Sequence, residues 1–360
     1  MINKKCFTKQ WIDQKSQELN YSDKNLIEKV IRAFSLLDML VSSGCPFCFK
    51  GGSSLMLIFN KTTHRLSIDI DIMCPPGTDI EQYLLEYAKN GFISYQLIER
   101  KQAGKDVPKK HSKFYYKVAF NEYANKESFI LLDVIYEVCY YQQVDRVVIE
   151  HELIESEGTP LFVNIPSVGD ILGDKLTAFA PETTGIPYYK GGYLTTLEII
   201  KQLYDIGRLF DRVEDLQVTK LSFEKIAPIE LSYRGLCTSD MYQIFNDIRK
   251  TSLNITTRGM IDKEKFELLQ QGIKSIKSFM YKSQYRIEQA IVDSSKAAYL
   301  ATCIELKEER LSHYGDMNQI VDLSIGRLFP SKLNKLKLSN SEAFYYWYKT
   351  EELLINKNKR

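Results

Sequence analysis

Apolar residues recur at helical spacing over residues 22–43, where Leu26, Ile27, Val30, Ile31, Phe34, Leu37 and Val41 share one face and Gly44 ends the run. The pattern then changes period. Residues 47–50 read as a short strand that stops at Gly51-Gly52, and a short helix is expected over 53–60. Residues 66–73 alternate, with Ile68, Ile70 and Ile72 on one side and Ser67, Asp69 and Asp71 on the other, the signature of a half-buried strand. Thr78 and Glu81 have capping-box spacing and open an expected helix to residue 90. Strand patterns follow over 92–100, 113–120 and 128–137, with two shorter ones near 146–150 and 161–165. Together these predict a mixed, mainly sequential and partly antiparallel sheet.

Past Pro166 the texture is helical. Ser167 and Asp170 are spaced to cap a helix over 167–180, a loop rich in Pro and Gly follows, and 195–212 is helical again. Helical periodicity continues to about Leu354. The expected class is α+β, with one domain over 1–165 and a mainly α-helical domain over 166–360.

Composition narrows the class. The chain has 360 residues, 44% hydrophobic and 26% charged, enough to bury a core without disulfides. Lys plus Arg number 48 against 46 Asp plus Glu, a net charge of +2 that excludes a histone-like polycation but not a local basic face. The 7 cysteines are odd in number and scattered, the usage of a reduced intracellular chain. The first residues lack the apolar core of a secretory signal, and no long uncharged stretch suits a bilayer, so a cytoplasmic location is expected. Cys45-Pro-Phe-Cys48 follows a helix and enters a strand, the reverse of a redox motif, so neither redox nor zinc chemistry is expected there.

The chemistry concentrates in Lys50-Gly51-Gly52-Ser53-Ser54 and Arg65-Leu-Ser67-Ile-Asp69-Ile-Asp71. Two glycines after a strand allow a ligand to approach the backbone, and the helix start beyond them offers free N–H groups to an anion. Asp69 and Asp71, two residues apart on a strand, share a face and can hold Mg²⁺ (or Mn²⁺) through oxygen. A metal beside a phosphate-binding turn is the equipment of phosphoryl or nucleotidyl transfer. Asp133 sits in the apolar run 129–137, where a carboxylate is costly unless paired or metal-bound. Glu137 lies on the same strand face.

A Gly-Gly-Ser turn, a short helix and an Asp-x-Asp strand in that order resemble the opening of the polymerase-β-like nucleotidyltransferase fold. That resemblance implies a third metal carboxylate on a neighbouring strand, for which Asp133 is the candidate, with Glu137 in reserve. With the later Asp174-Lys175-Leu176-Thr177-Ala178-Phe179-Ala180-Pro181, and with Lys201 to Ile206 similar to an Arg-Asp-Leu-Tyr-Asp-Leu motif, residues 45–215 resemble the AbiEii/AbiGii toxin family. These are nucleotidyltransferase-like toxins of type IV toxin–antitoxin and abortive-infection systems, related to the MenT toxins. The resemblance implies that Gly51, Gly52, Ser53 and Ser54 cradle nucleotide phosphates, with Lys50 and Arg65 beside them. It implies that Asp69 and Asp71 bind the metal, that Lys175 reaches the triphosphate from the helical domain, and that Asp205 lies near the cleft or orients Lys175. Gln202 departs from the family pattern.

The implied activity is transfer of a nucleotidyl group from an NTP, with the 3′ end of tRNA as the first expected acceptor and translation as the process blocked. An antitoxin from the same operon is the implied partner. A protein or small-molecule acceptor, and a non-catalytic nucleotide-binding protein, are the alternatives. Residues 100–117 hold Arg100, Lys101, Lys105, Lys109, Lys110, Lys113 and Lys117 against Asp106, with Tyr115 and Tyr116 among them, a candidate RNA-backbone patch with stacking aromatics. Lys332 to Lys337 and Lys357 to Arg360 extend the list of basic runs, and His64 lies near the aspartate pair in sequence.

Overall fold

The structure, a computed structural model, describes residues 1–62, 65–98, 109–119 and 127–357. The chain divides into two compact units: Met1–Ser167 with the returning segment Ser278–Gln284, and Val168–Lys277 with Tyr285–Arg360.

In the first unit, helix α1 (Lys9–Glu18) is capped by Thr8, and α2 (Lys24–Ser42) by Asp23, whose carboxylate accepts the Leu26 N–H. Strand β1 (Cys48–Lys50) runs into α3 (Gly51–Phe59), followed by β2 (Ile70–Cys74), β3 (Ser94–Ile98), β4 (Lys109–Lys117) and β5 (Glu127–Tyr136). These strands form one sheet in the order β1-β2-β5-β4-β3. The pair β2–β5 is parallel and the others antiparallel. Strands β6 (Val144–Val148) and β7 (Phe162–Pro166) pair separately. The sheet is therefore not sequential. A long crossover inserts β5 beside β2, a connection that parallel pairing requires and local patterning does not reveal.

Alternation sorts the two faces. Phe114, Tyr116, Ile130, Leu132 and Val134 are buried. The Arg32 guanidinium of α2 lies 4.9 Å from the Tyr116 ring, and Glu28 of α2 accepts the Ala119 N–H, so α2 covers this face. Tyr116 is thus a core residue and not a stacking surface, because it occupies an inward position of β4.

Two expected elements differ most from those observed. Of the alternating run over 66–73, only residues 70–73 pair in the sheet, as part of β2. Arg65 instead bridges Met280, and the Leu66 N–H donates to the Phe279 carbonyl. The helix expected over 78–90 is two 3₁₀ turns, Ile80–Tyr83 and Tyr87–Asn90. Asp79 caps the first, Thr78 bonds back to Pro75, and Leu85 is exposed, so no continuous apolar stripe exists for an α-helix to bury.

The second unit comprises α4 (Val168–Ala178), a short hairpin of β8 (Tyr189–Lys190) and β9 (Tyr193–Leu194), α5 (Thr196–Phe210), α6 (Leu216–Tyr233), α7 (Tyr242–Thr256), α8 (Lys263–Ser275), α9 (Ile287–Glu305), α10 (Leu336–Ser339) and α11 (Ser341–Lys357). Its core gathers Phe210, Tyr299, Tyr346 and Trp347, with the indole N–H donating to Thr256 Oγ1 at 3.0 Å. The mixed sheet and the helices after it make the α+β class that the patterning predicts. No helix among the described residues is long and apolar enough to cross a membrane.

His151 gives the first unit a pH dependence. Its ring is buried 5.4 Å from that of Phe34, its Nδ1 accepts the Leu153 N–H, and burial pushes its pKa down to about 4. The unfolded chain binds a proton near pH 6.5, where the folded protein does not, so stability falls as the pH drops from 6.5 towards 4. The expected loss from this residue by pH 4.5 is about 2–3 kcal/mol. Urea unfolding at pH 6.5 and 4.5 checks it, since His151→Gln should shrink the difference by that amount.

Candidate active site

The site grows from the end of β1. Lys50 occupies the N-cap of α3 and provides no side-chain cap, so the first-turn N–H groups of Gly51, Gly52 and Ser53 lack helical acceptors. The helix begins at Gly51, two residues before the expected start. Gly51 has φ +78°, and a Cβ there would lie 2.1 Å from Asp71 Oδ2. At Gly52 a Cβ would meet Arg65 Nη2 at 2.6 Å and Ser67 Oγ at 2.8 Å. The turn is therefore closed to side chains by residues of the aspartate segment itself.

The serines tie the turn to that segment. Ser53 Oγ donates to the Asp69 carbonyl at 2.5 Å, and Ser54 Oγ to the Gly51 carbonyl at 2.9 Å. Both are buried. Ser53 thus positions Asp69 with its hydroxyl and presents its backbone N–H within the first helical turn. Arg65 is buried, with Nη1 donating to the Leu66 carbonyl.

The sheet then aligns four side chains. Lys50 pairs with Asp71, Asp71 with Asp133, and Asp133 with His111, so one row crosses β1, β2, β5 and β4. Register partners project to one face. Asp69 precedes Asp71 by two residues, just before β2 begins. His111 Nδ1 lies 2.5 Å from Asp133 Oδ1, with His111 buried and the Asp133 side chain 37% exposed. His111 escaped the sequence reading, and the available signal was the alternation of β4. Lys50 Nζ donates to the Tyr140 hydroxyl at 3.5 Å. Glu137 lies just past β5, where its N–H donates to the Cys74 carbonyl.

Asp69 and Asp71 supply the hard carboxylate oxygens that Mg²⁺ prefers, and Mg²⁺ is commonly held by one or two carboxylates with water and substrate phosphate completing its octahedron. Among the described residues, no three His, Cys, Asp or Glu side chains converge closely enough to hold a metal. Asp69 and Asp71 are a carboxylate pair of the kind that could hold such an ion. The neighbouring Cys74 thiol and burial push the Cys45 thiol pKa up.

In the second unit, Lys175 of α4 is buried, with Nζ 2.9 Å from Asp205 Oδ2 and 2.9 Å from Gln202 Oε1 of α5. Lys175 thus pairs with Asp205, and Gln202, the departure from the family pattern, joins the same cluster. His64, Arg100, Lys101, Lys105 and Asp106 lie outside the described residues.

The model of the nucleotidyl transferase AbiEii toxin family, of type IV toxin–antitoxin systems, matches residues 35–287, well over half the chain. We find no match among the curated proteins. Solved structures align at low identity. JHP933 from Helicobacter pylori aligns over 80% of this chain and 94% of its own, at 13% identity and a TM-score of 0.40. A protein described as a nucleotidyltransferase from H. pylori aligns over 81% and 100%, at 14% and 0.41. The nucleotidyltransferase toxin MenT4 from Mycobacterium tuberculosis aligns over 81% and 89%, at 10% and 0.49.

Gly44 and Gly51 separate backbone strain from crowding, since both have positive φ but a Cβ at Gly44 meets nothing within 4 Å. Gly44→Ala should cost only about 1 kcal/mol of stability in thermal unfolding. Gly51→Ala must also displace Asp71, and nucleotidyl transfer should fall on the order of 100-fold, the cost of misplacing a reacting group by about 1 Å.

Proposed function

We infer the reaction of this chain, which belongs to the nucleotidyl transferase AbiEii toxin family of type IV toxin–antitoxin systems, from the groups around its glycine turn. The chain is a nucleotidyltransferase. In our reading it transfers a nucleotidyl group from an NTP to the 3′ end of tRNA in a Mg²⁺-dependent step, and so blocks translation. The observation that carries this reading is the packing of the Asp71 carboxylate against Gly51, which brings a carboxylate to the point where backbone N–H groups open a helix.

Each residue has a defined task. The N–H groups of Gly51, Gly52 and Ser53 bind phosphate oxygens, and Ser54 braces the turn through the Gly51 carbonyl. Lys50 and Arg65 add positive charge beside it. Asp69 and Asp71 hold the metal, which when bound neutralises phosphate charge and orients the nucleotide. Asp133, held by His111, accepts the proton of the attacking acceptor hydroxyl. The new bond joins that oxygen to the α-phosphorus, and pyrophosphate leaves. Lys175, paired with Asp205 and Gln202, is the cation that the family resemblance assigns to the negative charge of the triphosphate. A cognate antitoxin is the functional partner, and direct contact between the two is not required.

The test incubates the protein with Mg²⁺, each α-labelled NTP in turn, total tRNA and cell lysate. Label should appear on tRNA and fall at least about a thousandfold in Asp69→Asn/Asp71→Asn, which keeps shape but removes the metal-binding charge. Label on a protein band overturns the RNA acceptor, and the absence of label from every product overturns the transfer reaction.

A further inference from the structure

Beside the carboxylates, the same sheet face carries groups that the reaction above does not use. Alternation along β4 puts Lys113, Tyr115 and Lys117 on the face of His111 and Asp133. Across the ladder Tyr115 faces Phe129, Lys113 faces Leu131 and Lys117 faces Glu127. The Tyr115 and Phe129 rings lie 5.9 Å apart, tilted by 60°. Lys113 Nζ sits 4.4 Å from the centre of the Phe129 ring. The Tyr115 hydroxyl donates to Gln96 Oε1 of β3 at 3.1 Å, which fixes the ring from the next strand. Both rings are only half-buried, unlike Phe114 and Tyr116 on the opposite face.

Half-exposed aromatics interleaved with lysines along a strand suit unpaired bases. Every base has a stacking face, whereas the bases of a duplex are already stacked on one another. Phe129 and Asp133 are four residues apart on one strand, roughly 13 Å, a distance that a few nucleotides span. The acidic groups of this stretch are Glu127, opposite Lys117, and Asp133, engaged by His111.

We propose that this face of β4 and β5 binds the unpaired 3′ end of an RNA, with bases stacked on Tyr115 and Phe129 and phosphates on Lys113 and Lys117, so that the terminal hydroxyl is delivered toward Asp133 and Asp71. The assignment rests on the RNA-acceptor reading above and adds its binding surface. In the free protein Lys113 covers the Phe129 ring, and a stacking base replaces it while its ammonium turns to a phosphate.

The experiment measures binding of a short 5′-labelled single-stranded RNA with a free 3′ hydroxyl by fluorescence anisotropy, without NTP and with divalent metal chelated. Tyr115→Ala should weaken binding about 5- to 150-fold, the loss of one stacking ring, while Tyr115→Phe stays within about twofold. Lys113→Ala, a surface change, should flatten the dependence of log Kobs on log salt by about 0.7. Thermal unfolding checks that each variant is folded. Unchanged affinity in folded Tyr115→Ala and an unchanged salt slope in Lys113→Ala overturn the proposal, as does equal affinity for a blunt duplex. The two readings fail separately. RNA bound through Tyr115 with label transferred to a protein sinks the acceptor and leaves the stacking face. Label on RNA with neither affinity nor KM for RNA altered in Tyr115→Ala sinks the face and leaves the acceptor.

Discussion

The space that a Cβ at Gly51 would need is filled by the Asp71 carboxylate, and the local architecture of the first unit follows from that contact. The turn from β1 into α3 must adopt positive φ at Gly51, so the residue is glycine for two independent reasons. The neighbouring Gly52 is constrained in the same way by Arg65 and Ser67. Ser53 completes the arrangement through the Asp69 carbonyl. Backbone N–H groups and carboxylates are thus held within a few ångströms of each other without a residue between them. The helix N–H groups favour negative charge beside them, whereas the carboxylate would repel a phosphate there, and a divalent cation on the carboxylates would offset that repulsion.

The sheet order completes the constellation. Inserting β5 in parallel beside β2 sets Asp133 next to Asp71, and antiparallel β4 then brings His111 to Asp133. The segment Ser278–Gln284 closes the entrance to β2 from far along the chain, because Arg65 and Leu66 pair with Met280 and Phe279 there. Residues 66–69 consequently stand before the paired strand, and Asp69 lies outside the sheet ladder while Asp71 is part of it. Two aspartates that look equivalent in an alternating sequence have different backbones.

The second unit handles charge by burial. Lys175 is not a solvent-facing helical lysine but a buried cation held by Asp205 and Gln202. A buried ion pair adds little net stability because desolvation offsets attraction, so its value lies in fixing where the ammonium points. The same unit buries Asp293 against Arg208 and Tyr285, where Gly207 permits the close approach.

Local patterning is enough to read the class of the fold, the central helix, the glycine turn and the aspartate pair, because each depends on residues close in the chain. The helix around Phe34 follows from apolar spacing, and the turn from two glycines before a serine. It also carried the family resemblance, since those motifs are local. The remainder depends on long-range pairing. His111 and Asp133 are 22 residues apart, and nothing in either segment marks the other. The helix expected over 78–90 is replaced by two short turns because the segment has no continuous apolar stripe to bury. Tyr115 and Tyr116 are adjacent in sequence, yet one lies on the open face and the other in the core, a choice made by strand register. Sequence periodicity reports which residues can share a face, whereas long-range pairing decides which face is covered and which partners stand upon it.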